Sequence, residues 1–83
     1  MSIEHFLKEG EQMITRIIKG ALARNDMTAK DLAQATGIPY ATIMQTRFPD
    51  PMSWKFCEIR AVFRVVKFFP DEIKAIGREV GMN

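Results

Sequence analysis

Residues 28–48 read Thr-Ala-Lys-Asp-Leu-Ala-Gln-Ala-Thr-Gly-Ile-Pro-Tyr-Ala-Thr-Ile-Met-Gln-Thr-Arg-Phe, and this stretch decides the fold. Its first part predicts a helix over 29–36. Thr28 is a good first cap for that helix, and Asp31, three residues later, stands where the acid of a capping box belongs. Gly37 stops the helix at the expected position just past its end.

A second helix is predicted immediately after this turn, over about 39–47. Pro39 suits its first turn, and Ile43 is its main inward residue. Ala33 is small, so the two helices are able to approach each other closely at a steep angle. Gly37 takes a turn conformation that a Cβ would oppose. This is the geometry that presents the second of two helices to the major groove of DNA.

Further helices are predicted on both sides of this pair. Apolar residues recur at spacings of three and four from residue 3 to residue 22, which predicts one amphipathic helix, or a short and then a longer one, ending near Asn25. After the pair, Asp50 and Pro51 suit the start of a helix over about 51–68. A fifth helix begins at Pro70 and ends at Gly81. With no strand pattern, the prediction is all-α: a compact five-helix bundle in a single domain, 1–83.

Composition excludes several classes of function. The 83 residues suffice for one core, and 47% are hydrophobic and 27% charged, as in an ordinary folded domain. One Cys and one His exclude a disulfide framework and the common zinc sites, so no metal or cofactor is expected. Apolar runs are far shorter than a membrane span, and no signal peptide is visible, so a cytoplasmic location is expected. No catalytic constellation or phosphate-binding loop appears, so an enzyme is not expected.

The charge balance is only mildly basic. Net charge is +2, and the excess sits in residues 51–83, which carry six basic and four acidic residues. A domain that binds nucleic acids strongly through electrostatic attraction usually carries a larger excess of basic residues than this chain does. This modest charge favours an alternative function, a protein-interaction module such as an antitoxin or a regulator-binding adaptor.

The spacing Leu32-Ala33-x-x-x-Gly37-Ile38-Pro39-x-x-Thr42-Ile43 resembles the helix-turn-helix of the lambda-repressor/Cro class, and the flanking helices extend the resemblance over about 11–69. It implies a lambda-repressor-like bundle that binds a double-stranded DNA operator. The implied role is transcription regulation, most simply as a small Cro-like phage or prophage repressor in a bacterial host, with no small-molecule ligand. Thr46 stands where the family has a buried aliphatic or aromatic residue, which weakens the packing there unless Phe48 fills the gap.

The resemblance also assigns the site residues. Base contacts would come from the exposed start of the second helix and one turn on: Tyr40, Ala41, Met44 and Gln45. Phosphate contacts would come from five residues near helix starts or the turn: Thr28, Lys30, Thr42, Arg47 and Lys55. Two alternatives stay open. Tyr40 and Met44 lie four apart and would also make a packed surface pair, and Arg47 would equally pair with Asp50.

The predicted fourth helix has apolar residues on two opposite sides. One stripe, which includes Trp54 and Cys57, is expected to face the core, with Cys57 as a small buried residue. The second stripe is the expected interface of a two-fold homodimer: Phe56, Ile59, Phe63 and Val66. The region 51–81 is therefore the expected dimerisation region. The alternative is that the fifth helix covers this stripe within one chain.

Overall fold

The computed structural model describes residues 3–80, with side chains from residue 13 onward, and every regular element in that range is helical. Five helices follow in order: α1, Ile3–Arg24; α2, Ala29–Thr36; α3, which begins as Tyr40–Thr42 and continues as a π-helical segment, Ile43–Arg47; α4, Phe56–Val65; and α5, Pro70–Glu79. A 3₁₀ turn, Pro51–Ser53, lies between α3 and α4. The all-α prediction is confirmed, and α1 is one continuous helix. The predicted end of the fifth helix at Gly81 lies outside the described residues.

Both ends of α2 follow the sequence prediction. The Thr28 hydroxyl oxygen accepts from the Asp31 N–H at 3.2 Å, and the Thr28 N–H donates to the Asp31 carboxylate at 2.8 Å. Gly37 has a φ of 79°, and its N–H donates to the Ala33 carbonyl at 2.9 Å. Since side chains oppose this left-handed conformation, a glycine is the residue that ends α2 at least cost.

The wide last turn of α3 brings Phe48 into the core. The Phe48 N–H donates to the Ile43 carbonyl at 2.9 Å, so residues five apart stack on the same side of the helix. Ile43 and Phe48 are both buried, whereas Thr46 is exposed. The Thr15 hydroxyl of α1 donates to the Phe48 carbonyl at 2.7 Å and fixes this corner. Phe48 thus fills the space that Thr46 leaves.

The predicted helix over 51–68 is wrong as a single element. The chain is extended at Trp54 and Lys55, so α4 starts only at Phe56. The Lys55 N–H donates to the Glu58 carboxylate at 2.9 Å, and this contact sets the start of α4. Asp50 makes no side-chain cap.

The core is one cluster to which every helix contributes. The helix α1 packs against α5 and the 3₁₀ turn, and α2 packs against α4. The fully buried large side chains include Ile14, Ile18, Leu32, Ile43, Ile59, Val62, Val66 and Ile76. Trp54 is buried as predicted, but it lies on extended chain and does not fix the rotation of α4.

The side of α4 that faces the core differs from the predicted side, and this contradicts two predictions. Ile59 and Val66 are 1% and 2% exposed and belong to the core of the single chain, so they are not surface members of the expected dimer stripe. Cys57, expected inside, is exposed. Both errors have one cause, because the expected stripes took Trp54 as part of the same continuous helix.

Candidate nucleic-acid interface

Four side chains of α3 form one exposed face, which we call the α3 face: Tyr40, Ala41, Met44 and Gln45. Tyr40 and Met44 lie four residues apart, as do Ala41 and Gln45, so the members of each pair are neighbours on the helix surface. Tyr40 is 42% exposed and Met44 is 37% exposed, although both are large and partly apolar. Ile43 is fully buried. All four residues predicted to contact bases therefore lie together on the surface.

The turn before α3 is held by hydrogen bonds on both sides of Gly37. The Thr36 hydroxyl donates to the Leu32 carbonyl at 2.7 Å and accepts from the Ile38 N–H at 3.3 Å. Ile38 is buried in the core cluster. Because the turn is fixed by these contacts, the start of α3 has a defined position relative to α2.

Four of the five residues predicted to contact phosphates keep side chains at the surface. Thr28, Lys30 and Lys55 are exposed, and Thr42 is half-buried. The Lys30 ammonium lies 5.8 Å from the centre of the Tyr40 ring, next to the α3 face. The Thr28 hydroxyl accepts one hydrogen bond within α2, and a hydroxyl also has a proton to donate.

Arg47 pairs with Glu58, a partner that the sequence did not predict. Its Nε donates to Glu58 Oε1 at 2.8 Å, and its Nη2 donates to Glu58 Oε2 at 3.1 Å. The two side chains are only 12% and 14% exposed. The structure therefore contradicts the pairing with Asp50, and the engagement of the guanidinium with a carboxylate of the protein disfavours the predicted phosphate contact.

Glu58 was missed in the sequence analysis. Burial raises the pKa of Glu58, but hydrogen bonds from Arg47 and from the Lys55 N–H lower it by more, so this pKa lies below its usual value. The Glu58 carboxyl group is therefore ionised at neutral pH. The signal that would have found it is an acid three residues after a helix cap.

A groove of about 400 Å³ meets the α3 face at Met44. Its other walls are Thr15, Arg16 and Lys19 of α1 together with Phe48 and Pro49. A second groove meets the face at Tyr40, with Lys30 and Gln34 of α2 on its wall. The basic residues of α1 were not among the predicted contacts, since on the sequence they filled only the outer side of an amphipathic helix.

Two residues of the expected dimer stripe remain accessible on α4. Phe56 is 58% exposed. Phe63 is half-buried and packs edge-to-face on Phe68, with 5.3 Å between ring centres. The surface that is left is therefore smaller than the four-residue patch the sequence predicts.

Comparisons with protein-family models, with curated proteins and with solved structures find no match to this chain. Among the described residues, no helix has the length and apolar character needed to cross a membrane. Among the side chains described, those of residues 13–80, no grouping of three or more His, Cys, Asp or Glu is suited to a metal ion.

Proposed function

We propose that the protein binds double-stranded DNA sequence-specifically, with the α3 face in the major groove. The observation that carries this proposal is the exposure of Tyr40, Ala41, Met44 and Gln45 on one side of a short helix whose other side is anchored by Ile43. A helix held in this way offers its contact groups without having to fold on binding.

The chemistry of the α3 face fits base edges. The Gln45 amide has a donor and an acceptor that match N6 and N7 of adenine. Met44 and Ala41 are suited to contact with the thymine methyl group. The Tyr40 hydroxyl reaches either a base or a phosphate. This combination would favour sites that contain A·T pairs.

Phosphate contacts would hold the helix in register. Thr28, Lys30, Thr42 and Lys55 support this role because each lies on or beside the elements that present α3. Such contacts position a protein on the duplex, while base contacts specify the sequence. Arg47 is not included among these phosphate contacts because its guanidinium is paired with the Glu58 carboxylate.

The biological role that follows is transcription regulation by occupancy of an operator, most simply as a Cro-like repressor that acts as a two-fold dimer. Support for this role comes from the motif resemblance and from the capped turn at Gly37. A dimer would bind two half-sites about 34 Å apart, one turn of DNA.

The test is selection of duplexes from a random pool by the purified full chain at about 50 mM salt. We expect enrichment of one sequence, bound about 10³-fold or more tightly than a scrambled duplex of equal length. A Tyr40→Ala/Gln45→Ala variant should lose this preference, and a Lys74→Ala variant, changed on exposed α5 surface, should keep it. If folded protein binds no duplex, DNA binding is wrong and the protein-interaction module becomes the better proposal.

A further inference from the structure

We propose that α1 supplies a phosphate-binding flank of the DNA interface, centred on Lys19 and placed beside the Met44 end of the α3 face. This inference rests on the proposed function and deepens it. The sugar–phosphate backbone of the bound duplex would lie in the groove between α1 and α3.

The first observation is continuity of surface. Met44 belongs to the α3 face and is also a wall of the groove, while Arg16 and Lys19 form the groove's α1 side. A duplex seated on Met44 would therefore have its nearest backbone opposite the Lys19 ammonium. Phosphate groups line both edges of the major groove, so a helix inserted there meets them on its flanks.

The second observation is the position of the Lys19 ammonium. It lies 5.4 Å from the centre of the Phe48 ring, and Phe48 is itself held by the hydrogen bond from Thr15. The lysine stem packs on an apolar surface while the charge stays in water. Among the side chains that the structure describes, no carboxylate forms an ion pair with Lys19. Its charge is thus held near the groove.

The third observation is the charge of the second half of α1, since α1 as a whole carries four basic and three acidic residues. Residues 13–25 contain three basic residues and no acidic residue, although the net charge of the whole chain is only +2. Arg24 is neutralised by Glu72, to which its Nη1 donates at 3.1 Å. Lys19, on which the inference is centred, lines the groove, as does the neighbouring Arg16.

Lys30 completes the arrangement at the other end of the α3 face, since it lies 5.8 Å from the Tyr40 ring centre. Cations therefore stand at both ends of the surface proposed to read bases. This distribution compensates for the modest net charge, because binding depends on the phosphates that are neutralised and not on the charge of the whole protein.

The experiment measures the affinity of the wild type and of the Lys19→Gln variant for the enriched duplex and for its scrambled counterpart. Each affinity is measured at several salt concentrations between about 50 and 200 mM. We expect the slope of log affinity against log salt to fall in magnitude by about 0.9, the value for one lost phosphate contact. Affinity for the two duplexes should drop by the same factor, because a phosphate contact carries no sequence information. Lys74→Gln makes the same change of charge on exposed α5 surface, and its slope should equal that of the wild type.

A Lys19→Met variant separates charge from packing, because it keeps an apolar stem against Phe48 and should give the same reduced slope as Lys19→Gln. If the wild type binds duplex DNA and both Lys19 variants keep its slope, the α1 flank is wrong and the proposed function stands. If the folded wild type binds no duplex at all, the proposed function fails and this inference fails with it.

Discussion

Arg47 and Glu58 form a two-bond ion pair that ties the last turn of α3 to the first turn of α4. The same carboxylate accepts the Lys55 N–H, so one side chain both caps α4 and anchors the end of the proposed recognition helix. Paired Arg–carboxylate bonds have a fixed planar geometry, which restricts how α3 turns against α4. The contact gives Arg47 a structural role beside the proposed interface.

Glu58→Gln should destabilise the protein by about 1.5–3 kcal/mol, the usual contribution of hydrogen bonds to a charged group. Glutamine retains an acceptor for the Lys55 N–H but cannot accept both guanidinium bonds as a carboxylate. Urea unfolding followed by circular dichroism measures the change. Glu79→Gln, exposed on α5, is the matched control and should shift stability by less than about 0.5 kcal/mol. Equal stabilities of the two variants would contradict a stabilising role for the ion pair.

Stability should fall on acidification because two glutamates have lowered pKa values. The hydrogen bond from Arg24 lowers the pKa of Glu72, and the bonds from Arg47 and Lys55 outweigh burial at Glu58. A group whose pKa is lower in the folded state stabilises the fold above its ordinary pKa, here 4.5, and this contribution is lost as pH falls through the lowered value. Urea midpoints between pH 7 and pH 3 should therefore decrease, and the decrease should be smaller in Glu58→Gln. An identical pH dependence in the variant and the wild type would show that Glu58 is not one of the groups responsible.

Sequence reasoning succeeded where short-range chemistry decides the structure. Thr28, Asp31 and Gly37 act on their own helix within a few residues, so their roles were readable and α2 has the predicted bounds. The exposed positions of α3 were also readable, because one buried residue, Ile43, fixes the rotation of a short helix.

Sequence reasoning failed at α4 for one local and one distant reason. The break at Trp54 and Lys55 is accompanied by the local contact from the Lys55 N–H to Glu58, which was overlooked, whereas the pairing of Glu58 with Arg47 spans eleven positions and was not readable. Without that break, the stripes of α4 were assigned to the wrong sides, and Cys57 was placed in the core. The α1 groove was missed for a similar reason, since Lys19 and Met44 meet only in the folded chain.

The two glycines whose surroundings are described should respond oppositely to substitution by alanine. Added Cβ atoms at Gly20 and Gly37 meet nothing within 4 Å, so neither substitution is limited by a clash with surrounding atoms. Gly37 has a φ of 79°, where a Cβ costs about 1–2 kcal/mol, so Gly37→Ala should destabilise. Gly20 lies inside α1, where alanine is favoured by about 0.5–1 kcal/mol, so Gly20→Ala should stabilise. Thermal unfolding of both variants checks this, and a stabilising Gly37→Ala would contradict the left-handed turn.

Gln45→Ala should reduce the preference for one base pair of the selected duplex by about 1–3 kcal/mol and leave affinity for scrambled DNA nearly unchanged. The reason is that the lost contact is to a base edge, which only the cognate sequence offers. Competition binding with singly substituted duplexes measures the preference at each position. Thr46→Ala, on the next exposed residue of α3, is the control and should keep the wild-type profile. An unchanged profile in Gln45→Ala would mean that the α3 face is not the reading surface.

The proposed two-fold dimer now depends mainly on Phe56. Ile59 and Val66 are buried within one chain, and Phe63 already packs on Phe68, so the first turn of α4 holds the most exposed residue of the predicted interface. Burying such a side chain contributes about 1.5–3 kcal/mol, and a two-fold axis uses it twice.

Sedimentation at micromolar concentration should therefore give a wild-type species of about twice the 9.5 kDa chain mass, and Phe56→Glu should give the single-chain mass with helical content unchanged. Phe69→Glu is a matched control. Phe69 is equally exposed at the start of α5, but its ring packs on the Arg24 guanidinium at 4.2 Å, and it is not one of the four residues of the expected dimer stripe. The control should remain dimeric. A wild-type species of 9.5 kDa would rule out the dimer at this concentration, whereas a dimer that survives Phe56→Glu but not Phe69→Glu would move the interface from α4 to α5.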